Sequence, residues 1–240
     1  MVALSWFFYD VMNNPSVEED ILYEIARRKR IQISSFDSPL REMEAAAAAA
    51  ENAKPVIRIA AICGSLRKAS FNRGLIRAAI AICEEFITDM KIDYIDVEGL
   101  PFYNMDLEED GSFPWPVEEF RKKIREADGV LFASPEYNYS VSPLLKNAID
   151  WGSRPPNAWA DKGAAIVSAG GSSAGARMQY HLRQIGVFLD LHFINKPELI
   201  IPAFQPPQKF DRNGDLIDLE MKERLKKLLL SLHAFVLRLC

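Results

Sequence analysis

The sequence predicts an α/β domain in which helices cover both faces of a doubly wound, five-stranded parallel sheet. Two observations carry that prediction. From residue 55 onward short apolar runs alternate with amphipathic segments, the pattern of parallel strands joined by crossover helices. The chain has 240 residues, 49% of them hydrophobic, which suits one full core with or without an extension.

Taken in order, the chain opens on "MVALSWFFYDV", which is apolar but has no basic residue ahead of it and is stopped by Asp10. It is too short to cross a bilayer and lacks the charged start of a signal peptide, so neither is expected. Glu18, Glu19 and Asp20 argue against a transit peptide, and "ARRKR" at 26–30 reads as a solvated helix face. "EMEAAAAAAENAKP" is a low-complexity linker ending at Pro55. The expected organisation is an N-terminal extension and alanine-rich linker over 1–54, poorly ordered, followed by the domain over 55–240. Met43 stands where a compact protein could start, and residues 1–42 are expected to be dispensable.

Strands are predicted at "VIRIAAIC" (56–63), "KIDYIDV" (91–97), "GVLFASP" (129–135), "GAAIVSA" (163–169) and "FINKPELII" (193–201). Helices are predicted at 72–87, 116–127, 142–152 and 173–190, with Ser142 and Pro143 as a helix start. A last helix over 219–238 has Met221, Leu225, Leu228, Leu232 and Phe235 on one face, so it should cover the sheet. The stretch 101–120, rich in proline, acids and aromatics, reads as a long surface connection.

Composition narrows the function. The formal net charge is −4, from 29 basic and 33 acidic residues, and offers no positive field for nucleic acid. Cys63, Cys83 and Cys240 form no Cys-x-x-Cys pair and, with scattered His181, His192 and His233, no zinc spacing, so no metal is expected. The odd cysteine count points to a reducing compartment, the cytoplasm.

In doubly wound sheets ligands bind beyond the carboxyl ends of the strands, so the loops there carry the functional reading. After the first strand, "CGSLRKASFNRG" (63–74) combines a tight exit at Gly64 with Ser65, Arg67, Ser70 and Asn72 as donors, ahead of a helix N-terminus. That set suits an anion. The loop has neither the Gly-Lys-Ser/Thr ending of a Walker loop nor Gly-x-Gly-x-x-Gly, so a monophosphate fits better than a pyrophosphate. After the third strand, "SPEYNYSVSPLLKNAIDW" (134–151) places Pro135, Glu136, Tyr137 and Asn138 at the same sheet end, with main chain and rings for a flat heterocycle. Trp151 reads as core. After the fourth strand, "SAGGSSAGAR" (168–177) lets backbone approach a ligand closely. Three such loops converging on one edge indicate a flat, singly phosphorylated cofactor, for which FMN is the obvious candidate.

"GSLRKASFNRGL", "SPEYNYSVSPLLKNAIDW" and "GAAIVSAGGSSAGARMQYHLRQI" together resemble the NADPH-dependent FMN reductase family, and within it the plant-type NAD(P)H:quinone reductases, over roughly residues 55 to 235. The resemblance implies a flavodoxin-like three-layer sandwich with strand order 2-1-3-4-5. It implies that Ser65, Arg67, Ser70 and Asn72 hold the FMN phosphate, with Phe71 contributing main chain. Pro135, Glu136, Tyr137 and Asn138 would lie by the isoalloxazine, and Ser168, Gly170 and Gly171 would close over the cofactor. It further implies a homodimer or homotetramer.

The expected activity is two-electron hydride transfer from NADPH or NADH through FMN to a quinone. Because the flavin carries the redox chemistry, no catalytic side chain is needed, and Tyr137 and Tyr139 are candidates only for positioning substrate. Alternatives are an FMN, azo or chromate-type reductase, a flavodoxin-like electron carrier without NADPH turnover, and a module that has lost the cofactor. A carrier would be strongly acidic, which this chain is not.

Overall fold

Strand β1 (Ile57–Cys63) is buried at every position except Arg58, as a central parallel strand with both faces covered must be. The computed structural model describes residues 56–239, and the expected extension over 1–54 lies outside the described residues. β2 (Met90–Ile95), β3 (Gly129–Ala133) and β4 (Gly163–Gly170) follow in the chain. They line up in the order β2-β1-β3-β4, all parallel, as expected.

The fifth strand differs from the expected 193–201. Two short strands, β5 (His192–Phe193) and β6 (Leu199–Pro202), pair in turn with the beginning and the end of β4. The ladder breaks between them at Pro197, which has no N–H to contribute. The expected order 2-1-3-4-5 stands, with its fifth position shared by two pieces.

Helices α1 (Phe71–Phe86) and α5 (Leu219–Leu239) cover one face, where Ile59 and Ala61 meet Leu75, Ile76, Leu225, Leu228 and Leu232. Helices α2 (Trp115–Arg125), α3 (Pro143–Ser153) and α4 (Ala176–Leu189) cover the other, where Ile62 and Phe132 meet Phe120, Ile124, Leu145 and Leu182. Trp151 is fully buried and donates its indole N–H to Pro101 O at 2.8 Å, which confirms it as core. The connection over 101–114 docks on α3 through Asn147, whose Oδ1 accepts from Tyr103 N at 2.7 Å, and contains a 3-10 turn at Met105–Leu107.

α4 starts three residues later than expected. Ala174 (φ 50°) and Gly175 (φ 91°) are left-handed, so they end the loop instead of beginning the helix. At Gly175 a side chain is also excluded by space, since a Cβ would lie 2.6 Å from Ser168 Oγ.

Candidate functional site

β1 and β3 end level, with Cys63 opposite Ala133, while β4 passes Val167, opposite Ala133, and runs on to Gly170; the three loops leave the sheet at one edge. Main-chain bonds join them just beyond the strands: Gly64 N donates to Ala133 O at 2.9 Å and Ser134 N to Val167 O at 3.3 Å. The approach is so close that a Cβ on Gly64 would sit 2.7 Å from Ser134 Cβ and 2.9 Å from Ser142 Oγ. Gly64 is required by proximity rather than by its dihedral angles.

The first loop presents donors only. Ser65 and Ser70 are buried, and their hydroxyl oxygens accept from Arg67 N at 3.4 Å and Arg73 N at 3.5 Å, which leaves the Ser65 hydroxyl proton to give away, while the Ser70 hydroxyl also bonds the Cys63 thiol. The amides of Phe71 and Asn72 head α1, where no intrahelical acceptor exists, and the helix dipole adds positive potential. Arg67 is exposed, pairs with no carboxylate among the described residues, and lies 5.0 Å over the Phe71 ring. The segment 64–72 contains no acid. This donor set fits a phosphate group and would repel nothing about it.

Phe71 does more than supply main chain. Its ring stacks on Phe210 at 4.6 Å and meets Phe204 edge-on at 5.7 Å, so the segment after β6 walls the loop. Buried Lys209 holds that segment by donating to Gln205 O at 2.9 Å and Pro207 O at 3.0 Å.

Three of the expected contact residues are committed to protein partners. Asn72 donates to Ala169 O at 3.0 Å and accepts from Ala169 N at 2.9 Å, so it ties α1 to the end of β4. Ser168 is fully buried and accepts from Gln179 Nε2 at 2.9 Å, beneath Gly175. Glu136 accepts from Ser173 Oγ at 2.9 Å, Arg177 N at 3.0 Å, Arg177 Nη1 at 3.2 Å and Met178 N at 3.3 Å. It is the cap that Gly175 cannot provide for α4, supplied from the neighbouring loop. Burial alone would raise its pKa, but these bonds from Ser173, Arg177 and Met178 outweigh it and hold the carboxyl below the usual glutamate range.

The remaining residues stay open. Pro135 is half-buried, whereas Tyr137, Asn138 and Tyr139 are exposed. Asn138 (φ 50°) and Tyr139 (φ 68°) form a two-residue left-handed turn closed by Tyr137 N to Ser140 O at 3.1 Å and Ser140 N to Tyr137 O at 3.0 Å. A tyrosine in that region costs on the order of 1–2 kcal/mol, and strain of this kind gathers at ligand sites. Gly171 is exposed, with open space where a Cβ would stand, and Gly170 meets only Ala174 main chain, at 3.8 Å.

Cys63 and Cys83 are free and buried, and Cys63 Sγ donates to Ser65 O at 3.6 Å. Burial pushes the Cys63 thiol up and, with Glu84 nearby, the Cys83 thiol to about 12. A groove of about 610 Å³ between α1 and α5, lined by Arg77, Phe86, Leu219 and Lys226, lies away from this edge. At the opposite, amino end of β4, Asp161, Asp190 and His192 bring ligand atoms within 4.8 Å of one another on the surface.

Sequence reasoning missed Ser173, Gln179 and Phe210. Gln179 was detectable as a polar residue in the apolar period of α4, next to buried Met178 and Leu182. Ser173 and Phe210 carry no such signal.

The sheet order defines a flavodoxin-like α/β protein, with a donor-rich loop at the carboxyl edge of its strands. The model of the NADPH-dependent FMN reductase family matches residues 57–206, and the chain belongs to that family. It is 65% identical over 186 residues to NADPH:quinone oxidoreductase of Arabidopsis thaliana, covering 78% of this chain and 95% of that one. It is 64% identical over 187 residues to NAD(P)H:quinone oxidoreductase of Solanum tuberosum, covering 78% and 96%. Among solved structures it is similar to a flavoenzyme NAD(P)H:(acceptor) oxidoreductase of Paracoccus denitrificans, with a TM-score of 0.66 and 27% identity over 76% of this chain and 98% of that one.

Proposed function

We propose that the protein is an FMN-dependent NAD(P)H:quinone oxidoreductase. The observation that carries the proposal is the donor-only loop after β1, set at one edge with two loops that expose main chain. Ser65, Arg67, Ser70 and the amide of Phe71 hold the phosphate. Pro135, Tyr137 and Asn138 border the ring system on one side, and Gly170 and Gly171 let main chain approach it on the other. Asn72, Glu136 and Ser168 act one step back, by fixing the loops against each other. FMN held there would supply two-electron hydride chemistry between the nicotinamide and the quinone. The exposed rings of Tyr137 and Tyr139 give both substrates an apolar border on which to stack.

We assign the protein to a homodimer or homotetramer in the cytoplasm. Support for the compartment is that Cys63 and Cys83 are free thiols. Residues 55–240 form the FMN-binding domain in this reading, and loss of FMN binding in a chain beginning at Met43 would count against a dispensable extension.

The test is a visible spectrum after FMN addition and desalting, followed by anaerobic NADPH and then a benzoquinone. Retained flavin should bleach with NADPH and recover stoichiometrically with quinone. Retained flavin that NADPH leaves oxidised would refute the enzyme reading.

A further inference from the structure

We infer that Phe210, in the segment after β6, is a positioning residue for the cofactor phosphate, because it fixes the ring that carries the Arg67 guanidinium. The inference rests on the reading above, since it needs a phosphate at the first loop.

Arg67 is exposed and has no carboxylate partner among the described residues, so its contribution depends on what holds it before the ligand arrives. Phe71 holds it. The guanidinium carbon lies over the Phe71 ring, 5.0 Å from its centre, and the same ring stacks on Phe210 at 4.6 Å with the planes 26° apart. Two groups that close cannot share one face, so Phe71 stands between the guanidinium and Phe210. Phe204 meets its edge at 5.7 Å.

Phe210 suits this task because it is itself anchored. It is 4% exposed and bridges antiparallel to Leu216, which makes a hairpin of 210–216. Inside the turn the Asp211 carboxylate accepts the amides of Asn213 and Asp215, each at 2.8 Å. The turn is clamped to α1, where Arg77 donates to Asp215 Oδ1 at 2.6 Å and to Asn213 O at 3.3 Å. Gly214, with a φ of 81°, comes so near the first loop that a Cβ would lie 2.7 Å from Ala69 O and 3.0 Å from Ser70 O. The hairpin therefore meets the phosphate loop twice, at main chain through Gly214 and at a side chain through Phe210. It lies beyond residues 57–206, the stretch that the family model matches. A planar fork resting on a fixed ring keeps one orientation, and donors aligned in advance bind a phosphate more tightly than the same donors left free.

The experiment is a fluorescence titration of the flavin-free full chain with FMN and, in parallel, with riboflavin, which lacks the phosphate. Phe210→Leu keeps an apolar filler but removes the stacked ring. It should weaken FMN by about two- to tenfold, the range for one aromatic contact, and leave riboflavin unchanged. In the Arg67→Ala background the same substitution should have no further effect on FMN. Phe210→Tyr, which keeps the ring, should bind FMN as the wild type does. Equal losses for FMN and riboflavin, a loss that persists in the Arg67→Ala background, or unchanged FMN affinity in Phe210→Leu would each overturn the inference while the phosphate site stands. A wild type that binds riboflavin as tightly as FMN, or an Arg67→Ala chain that binds FMN like the wild type, would refute the phosphate site and the inference with it.

Discussion

Replacing Glu136 by alanine tests whether the loop after β3 is built around a cap for α4. The carboxylate is 8% exposed and accepts four bonds, two of them from the first amides of α4. Loss of a helix cap costs about 0.5–2 kcal/mol. The pair with half-exposed Arg177 adds no more than about 1 kcal/mol after screening by solvent. Together these give about 1–3 kcal/mol, which for a domain of this size lowers Tm by roughly 2–12 °C. The sign with pH follows from the carboxyl's depressed pKa. Its contribution is complete above the ordinary glutamate value of 4.5 and is lost as pH falls through the lower folded value. Thermal melts of both proteins at pH 7 and in acid should therefore show a gap that closes as pH falls. Identical Tm values at pH 7, or a gap that persists unchanged in acid, would refute the assignment of a structural cap.

Arg67→Ala removes a charge-assisted phosphate contact worth about 1.5–3 kcal/mol, so FMN affinity should fall by about one to two orders of magnitude. A fluorescence titration that shows no change would take Arg67 out of the site. Gly64→Ala forces a methyl against Ser134 and Ser142 and should lower stability by about 1–3 kcal/mol while weakening FMN. A normal melt would show that the strand ends can separate at no cost. Arg121→Met keeps the aliphatic stem but removes the donors to Trp151 O, Gly152 O and Pro156 O, now bound at 2.8, 3.3 and 2.9 Å; Trp151 O and Gly152 O keep the amides of Arg154 and Ala158, and Pro156 O is left without a donor. The substitution should shift the urea midpoint downward by an amount equivalent to about 2–4 kcal/mol, and an unshifted midpoint would mean that water takes over those carbonyls.

The parts of the molecule legible in the sequence are those governed by local rules. β1 and β3 are read correctly because a strand buried on both faces leaves a short continuous apolar run. The start of α3 is visible because Ser142 caps Leu145 N at 3.2 Å and Pro143 occupies the first turn, both decisions made within four residues. The fifth strand misleads for the converse reason. Phe193 to Ile201 looks like one run, and whether Pro197 merely marks an edge or breaks the ladder depends on β4, whose sequence lies elsewhere. The loops themselves are found, but the work of each polar residue within them is not. Asn72 meets Ala169 across 97 positions and Glu136 meets Met178 across 42, and residue type alone does not tell a donor for phosphate from a donor for main chain.

That ambiguity resolves into a division of labour with a physical basis. Loops at a sheet edge have no ladder to fix them, and a phosphate site loosened by even a fraction of an ångström loses its aligned donors. Rigidity must then come from buried polar groups whose partners lie in adjacent loops. Asn72, Ser168 with Gln179, and Glu136 fill that role, each bonded to another segment. In the proposed reading, groups that meet a ligand must instead keep unused donors, as Ser65 and Arg67 do. The two sets respond differently to substitution. Removing a buried bridge lowers stability and loosens all ligands together, whereas removing an open donor leaves the fold intact and discriminates among ligands by the phosphate each one carries.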